Sequence, residues 1–450
     1  MGKTNSNSSI SEDVKHEQSP GEAEIGMNSV GYEEVDERRT LRYIDFRILP
    51  ILASTYAFSL IDRTNLSTAR VAGMGTALQL NVGARYSIVT CIYFVTYIIL
   101  QFPTNAVVRR VGVRIWITFV VIAWGAATLG MGFVKSWSTL ALCRALIGAF
   151  EAGFFPAIVF IIACWYRSSF FICVVDLLAK LRTHAGTKDT RFRKAFYLSS
   201  ALIGGFSPIL AYGLSLMNGT QGIAGWSWIF IIEGVITLGL GIACWFLIPE
   251  FPDRNTFLTK AQTAFVLRRI EEDRGDSVPD EITLRKVTHH AKDWTIWVYG
   301  IMFGCATLPA YMIAFFLPII LAGMKFSTAQ SLLLASPPFI AAFVTAMTFA
   351  WLSDRSKQRA PFIIVQGIIT LVGCCMTAFS HSHGVRYAGT FLICCGAQGN
   401  VPSVLAWGAN NVLSHSKRSV QSAITVAGGG IGGVMASTVF REQDSPDYIP

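Results

Sequence analysis

Arg144 and Glu151 are the residues best placed to do chemistry in this 450-residue chain. Both sit in an otherwise apolar run, and their seven-residue spacing puts them within ~20° of each other on one face of a helix. Two turns, roughly 10 Å, separate them along the axis, too far for a tight local ion pair. Ionisable groups are costly among apolar neighbours, and those that persist there commonly line solute pathways or relay protons. A guanidinium in that setting can grip a carboxylate through two parallel N–H bonds. A carboxyl in that setting can carry a proton. The plainer reading has Arg144 snorkelling outward and Glu151 pairing with another helix.

Other polar residues interrupt apolar runs. Asp62 and Arg63 sit at the outer end of the first run, where an exposed local ion pair is the simpler account. Asn65 beside them can hydrogen-bond a solute or cap a helix. Glu233 reads as a partner that holds its own helix in place. Asn410 and Asn411 offer amides to a carboxylate or a ring nitrogen, or bond one helix to another. Tyr311 and Phe315, four apart, can stack an aromatic solute or simply fill the core. His289, His290, His381 and His383 lack a four-ligand spacing, so no metal is expected. The ten cysteines form no C-x-x-C, and most read as core packing. No G-x-x-x-x-G-K-[ST] phosphate loop appears, which counts against an ATP-driven pump. The Gly428–Gly430 and Gly432–Gly433 clusters read as close helix packing.

The elements that must hold these residues are membrane helices. Hydrophobic residues make up 52% of the chain and charged ones 14%, with a mean hydropathy of +0.48. A soluble domain carries about a quarter charged residues. Eleven apolar runs are long enough to approach or reach a bilayer span: 46–61, 86–104, 114–133, 139–165, 195–217, 226–248, 294–322, 330–352, 361–380, 386–407 and 418–440. They are continuous and do not alternate with period two, so a closed β-barrel is excluded. The expectation is an all-α polytopic membrane protein.

Basic residues orient it. With a cytoplasmic amino terminus, the inside segments hold 28 Lys and Arg and the outside segments 7. The net charge of +9 therefore reflects topology, and no nucleic-acid partner is read from it. Residues 1–42 read as a disordered cytoplasmic tail, and 249–293 as a charged central loop between a half at 43–248 and a half at 294–440. Residues 441–450 form a short tail.

A repeat ties the halves together. Asn105-Ala-Val-Val-Arg109-Arg110-Val-Gly112-Val-Arg114 follows the second run, and Ala350-Trp-Leu352-Ser-Asp354-Arg355-Ser-Lys-Gln-Arg359 follows the eighth. Both resemble the G-x-L-x-D-R-x-G-R-R signature of the major facilitator superfamily, Arg109 standing where Asp is usual. Such a basic loop can pair with carboxylates and helix dipoles to latch one conformation. Asp62-Arg63-Thr64-Asn65, Arg144-Ala-Leu-Ile-Gly148-Ala-Phe-Glu151-Ala-Gly153-Phe-Phe-Pro156, Trp228-Ile-Phe-Ile-Ile-Glu233-Gly234 and Ala406-Trp-Gly-Ala-Asn410-Asn411 are similar to phrases of the fungal allantoate permease family of anion:cation symporters.

The resemblance runs from about residue 41 to 440. It implies two six-helix halves and alternating access. It also implies proton-coupled uptake of a carboxylate such as nicotinate, allantoate or pantothenate. The expected partners are a small anionic solute, a proton and the bilayer, met by a single plasma-membrane chain acting as a monomer, without cofactor and not as an enzyme. Arg144, Glu151, Asn65, Tyr311, Asn410 and Asn411 are the expected solute and proton residues. Asp62, Arg63, Arg110, Gly112, Arg114, Glu233, Asp354, Arg355 and Arg359 are the expected gating or structural ones. The alternatives are a non-transporting nutrient receptor on the same fold and an inactive truncated transporter. The second follows from two departures: an insert at 168–190 and the lack of a twelfth run, about 11 spans in all.

Overall fold

The computed structural model describes residues 36–165, 205–250, 252, 255–274, 288–290, 292–356, 358–411 and 415–439. These residues form helices joined by short turns, and no strand occurs among them. Helix α1 is Glu37–Ala69 and continues through a π turn, Arg70–Met74, and a last turn, Gly75–Ala77. Then come α2 (Arg85–Val111), α3 (Val113–Met131), α4 (Trp137–Glu151), α5 (Phe154–Trp165), α6 (205–215) and α7 (Gly225–Leu247). Helix α8 (Lys260–Arg274) lies inside the segment read as a loop. The remaining helices are α9 (Trp294–Gly323), α10 (Thr328–Ser356), α11 (Ala360–Phe379), α12 (His383–Asn410) and α13 (His415–Val439).

Seven of the described helical stretches are long and apolar enough to cross a bilayer. Helix α11 shows what solvent they are built for. Its most apolar window has a mean hydropathy of 2.2, the highest of the seven, yet only 17% of that window is buried in the protein. Such a surface is stable only against hydrocarbon, and a helix there satisfies its own backbone N–H and C=O groups. Caps fix the ends. Ser136 Oγ accepts from Thr139 N at 3.3 Å to start α4, and Asp293 Oδ1 accepts from Thr295 N at 3.0 Å to start α9. Gly112, at φ 95°, makes the turn between α2 and α3, a conformation that favours glycine.

Three boundaries differ from the hydropathy reading. The first run, expected over 46–61, is a span reaching from Arg39 to Ala77. Apolarity fades at Asp62–Thr68 because those polar side chains face protein, while the backbone stays helical. The tail expected over 1–42 is helical from Glu37 onward. The fourth run is two helices, α4 and α5, hinged at Ala152–Gly153, where the Gly153 carbonyl accepts from Trp116 Nε1 at 3.2 Å. The fifth run, 195–217, is described only over 205–215, and the 168–190 insert lies outside the described residues.

Helix α3 packs on α7, α2 on α4, α11 on α12, and α9 on α13. The amino-terminal and carboxy-terminal groups meet where α1 packs on α9 and α2 on α13. Tyr86 in α2 donates to the Phe315 carbonyl at 3.0 Å, and Ser67 in α1 donates to the Ala314 carbonyl at 3.1 Å, so α9 is bonded to both.

Candidate functional site

The polar centre of the protein forms because α4 comes unusually close to α2. A Cβ at Gly148 would collide with the Tyr93 carbonyl oxygen and the Thr96 hydroxyl, so only glycine permits this contact. Gly148 lies between Arg144 and Glu151, and the close approach brings both against Tyr93. Arg144 and Glu151 are 2% and 1% exposed, so the shared helix face does point inward. The Tyr93 hydroxyl donates to Glu151 Oε2 at 2.6 Å, and the Arg144 guanidinium lies 5.6 Å from the Tyr93 ring centre.

Glu151 is the hub. Its Oε1 accepts from Ser59 Oγ and from Arg63, whose Nε lies at 3.0 Å and whose second nitrogen forms a closer ion pair. Arg63 also donates from Nη1 to the Tyr311 hydroxyl at 3.3 Å. One guanidinium therefore joins α1, α4 and α9, across the contact between the two halves. Its faces lie near Tyr93 and Tyr97, at 5.7 and 5.9 Å from the ring centres, in cation–π range. The exposed local pair expected of Asp62 and Arg63 is thus corrected. Neighbours on a helix point in different directions, and here each finds a partner on another helix.

Asp62 is buried on the other side of α1. Its Oδ2 accepts from Trp124 Nε1 at 2.6 Å, and its main-chain carbonyl accepts from Arg144 Nη1 at 3.3 Å. Arg144 Nε is buried with no acceptor. Asn65 donates to Glu233 Oε1 and accepts from Ser207 Oγ at 2.7 Å, tying α1 to α7 and α6. Arg63, Asp62, Asn65, Arg144, Glu151, Glu233 and Tyr311 therefore form one connected polar region.

Several expected residues lie elsewhere. Asn411 is exposed at the end of α12 and donates to the Tyr299 hydroxyl at 2.8 Å and the Trp407 carbonyl at 3.0 Å. It does not join the polar centre, because α12 has ended before its side chain can turn inward. The side chains of Asn410, Arg110 and Asp354 are outside the described set. Tyr311 stacks on Phe315 with ring centres 6.1 Å apart, and the edge contact with Phe94 is 4.9 Å, so its ring is core while its hydroxyl serves Arg63. Arg114 donates to the Ile248 carbonyl at 2.8 Å and lies 3.8 Å from Glu250, bonds within its own half. Arg355 lies 5.5 Å from the Trp351 ring centre, and Arg359 precedes α11. Ser59, Tyr93, Trp124 and Ser207 were missed, since one hydroxyl or indole in an apolar run looks like packing.

A buried cluster of paired charges in a bundle of membrane helices marks a functional centre, and sequence comparison decides the family. The profile of the Major Facilitator Superfamily matches residues 52–437. The chain belongs to the major facilitator superfamily. It is a multi-pass membrane transporter of that superfamily and not an enzyme. Among its relatives are the Major facilitator-type transporter hxnP of Emericella nidulans, 28% identical over 96% of this chain and 84% of that protein, and the High-affinity nicotinic acid transporter of Saccharomyces cerevisiae, 27% identical over 92% of this chain and 73% of the other. The fold is similar to an inward-facing bacterial homologue of the human lysosomal transporter Spinster, with TM-score 0.68 at 15% identity over 88% of this chain and 82% of that one. It also resembles the xylose transporter XylE of E. coli, with TM-score 0.60 at 14% identity over 88% and 92%. At these identities the likeness is one of fold.

Proposed function

We propose that the chain takes up a small organic anion with a proton by alternating access, acting as a monomer in the plasma membrane. The observation that carries this reading is the sharing of Arg63 between Glu151 in one half and Tyr311 in the other. Glu151 occupies the guanidinium as an internal carboxylate. A solute carboxylate is the same chemical group and competes for the same two N–H donors. Protonating Glu151 removes its charge and frees Arg63, so solute and proton load together. Arg144, buried with a spare N–H, is the second cation for the anion. Release of the Arg63 contacts to either half then lets the halves rock and expose the centre to the opposite side.

The nicotinic acid transporter among the relatives supports a carboxylate of that size. The basic turns around Gly112 and Arg355 are assigned to gating at the helix ends. The test is uptake of labelled nicotinate, allantoate and pantothenate into vesicles holding the full chain, with and without a pH gradient, acid outside. Accumulation of at least one of them only with the gradient is expected. Uptake of all three indifferent to pH, or equal uptake of a cationic solute, would sink the reading.

A further inference from the structure

Two cations and three carboxyls come together from α1, α4 and α7: Arg63 and Arg144, with Asp62, Glu151 and Glu233. If all were ionised, the cluster would carry one net negative charge away from water, which is costly. Glu151 has an explanation for its charge, because it accepts from Ser59, Arg63 and Tyr93. Asp62 and Glu233 do not. Each carboxyl has one oxygen with a donor: Asp62 Oδ2 from Trp124 at 2.6 Å, and Glu233 Oε1 from Asn65. The other oxygens, Asp62 Oδ1 and Glu233 Oε2, are buried with no donor at all. Asn65, three residues beyond Asp62 and so on the same face of α1, holds Glu233, which makes the two carboxyls neighbours across α1 and α7.

Two acceptors turned toward each other out of water repel, and a proton between them converts the repulsion into a hydrogen bond. The charged and titratable groups around the pair are Arg63 on α1, Tyr93 on α2, Arg144 and Glu151 on α4 and Tyr311 on α9, while α3 contributes only the indole N–H of Trp124. The closest cation, Arg144, gives a bond to the Asp62 main chain. We propose that Asp62 and Glu233 form a proton-binding site distinct from Glu151, holding one proton between their facing carboxyl oxygens.

With that proton the resting cluster is neutral. An arriving monoanion then needs one further proton, on Glu151, to keep it so. When the pair loses its proton, the net negative charge opposes the anion. The coupling role rests on the transport reading above, but the bound proton can be measured without any solute.

Infrared difference spectroscopy on the purified full chain in lipid nanodiscs, titrated with pH in H2O and D2O, reads protonated carboxyls directly. Besides any band that Glu151 gives as it protonates, the pair is expected to give one deuterium-sensitive carboxylic C=O band. It is expected to disappear in Asp62→Asn and equally in Glu233→Gln, because an amide donor then takes the proton's place, and to persist in Glu151→Gln. Trp124→Phe leaves both carboxyls in place but removes a donor to the charged form, so the band should survive to higher pH than in wild type. No band, a band lost in only one of the two pair variants, or one unmoved by Trp124→Phe overturns the proposal. The expected band pattern in a chain that takes up none of the carboxylates would defeat the transport reading alone.

Discussion

At the residue scale the site works by giving two buried guanidiniums unequal partners. Arg63 is 18% exposed and held by a carboxylate, whereas Arg144 is almost fully buried, with a main-chain carbonyl as its acceptor and the Tyr93 ring beside it. Arg144→Lys keeps the charge and loses the planar fork. A hydrogen bond to a charged group is worth ~1.5–3 kcal/mol, so KM for nicotinate should rise roughly ten- to hundred-fold with less change in kcat. Arg144→Ala should abolish uptake while surface labelling still finds the protein in the membrane. Normal uptake by the alanine variant would remove Arg144 from the site. The Arg144–Glu151 face was legible in the sequence because a seven-residue spacing survives any detail of packing. Arg63 was not, because it falls where apolarity fades and so reads as a helix end. Its partner is 88 residues away, and no local pattern encodes that pairing. Tyr93 and Trp124 carried no signal, since their polar atoms matter only through the carboxylates that other helices bring to them.

At the element scale the tightest junction is α9 on α13. A Cβ at Gly428 would collide with the Gly300 carbonyl oxygen, and one at Gly432 with the Gly304 carbonyl oxygen and the Thr307 hydroxyl at 2.6 Å. Backbones this close gain dispersion contacts that larger side chains would prevent. Overpacking costs ~1–3 kcal/mol, so Gly432→Leu should lower the unfolding temperature of the purified protein by several degrees. Gly239, in α7, meets nothing within 4 Å. Gly239→Ala should therefore be neutral or raise that temperature, as a helix gains from losing glycine. If both variants melt alike, the glycine pattern is not packing. Close packing was legible in the glycine clusters themselves, but their partners on α9 lie more than a hundred residues away and left no local pattern.

The same two helices are joined at their starts by Lys417 and Asp293, 2.5 Å apart. The Lys417 ammonium and the Thr295 hydrogen bonds hold the Asp293 carboxyl well below the ordinary carboxylate range. A lowered value means the contribution is present above about 3.9, the ordinary value, and lost as pH falls through the lower one. The melting penalty of Asp293→Asn should accordingly be constant from neutral to mildly acid pH and shrink only in stronger acid. A penalty that grows on acidification would contradict the assignment.

At the scale of the whole molecule the question is which end faces the cytoplasm. Counting basic residues needs no structure, and the fold adds which helix ends share a side. Arg114 reaches the Ile248 carbonyl at 2.8 Å, Trp165 Nε1 donates to the Glu250 carbonyl at 3.0 Å, and Arg47 donates to the Phe246 carbonyl at 3.2 Å. The turn between α2 and α3, the end of α5, the end of α7 and the first turns of α1 thus gather at one end of the bundle. These are segments that the basic-residue count places inside. Alternate spans must bring these ends to one side of the membrane, and the excess of Lys and Arg there is the reason to propose that this side is cytoplasmic. The loop at the opposite end of α7 carries the Asn218-Gly-Thr sequon, although Asn218 Oδ1 already accepts from Gly225 N at 2.8 Å and the loop is short. We therefore expect tags placed at residue 5 and at residue 280 to be shielded from protease in intact cells and cleaved after permeabilisation. A cysteine introduced at Gly219 should instead react with a membrane-impermeant maleimide from outside. Cleavage of either tag in intact cells, or labelling of the cysteine only after permeabilisation, would invert the orientation. Proton entry, solute entry and the direction of the pH gradient in the uptake experiment would then all have to be reversed together.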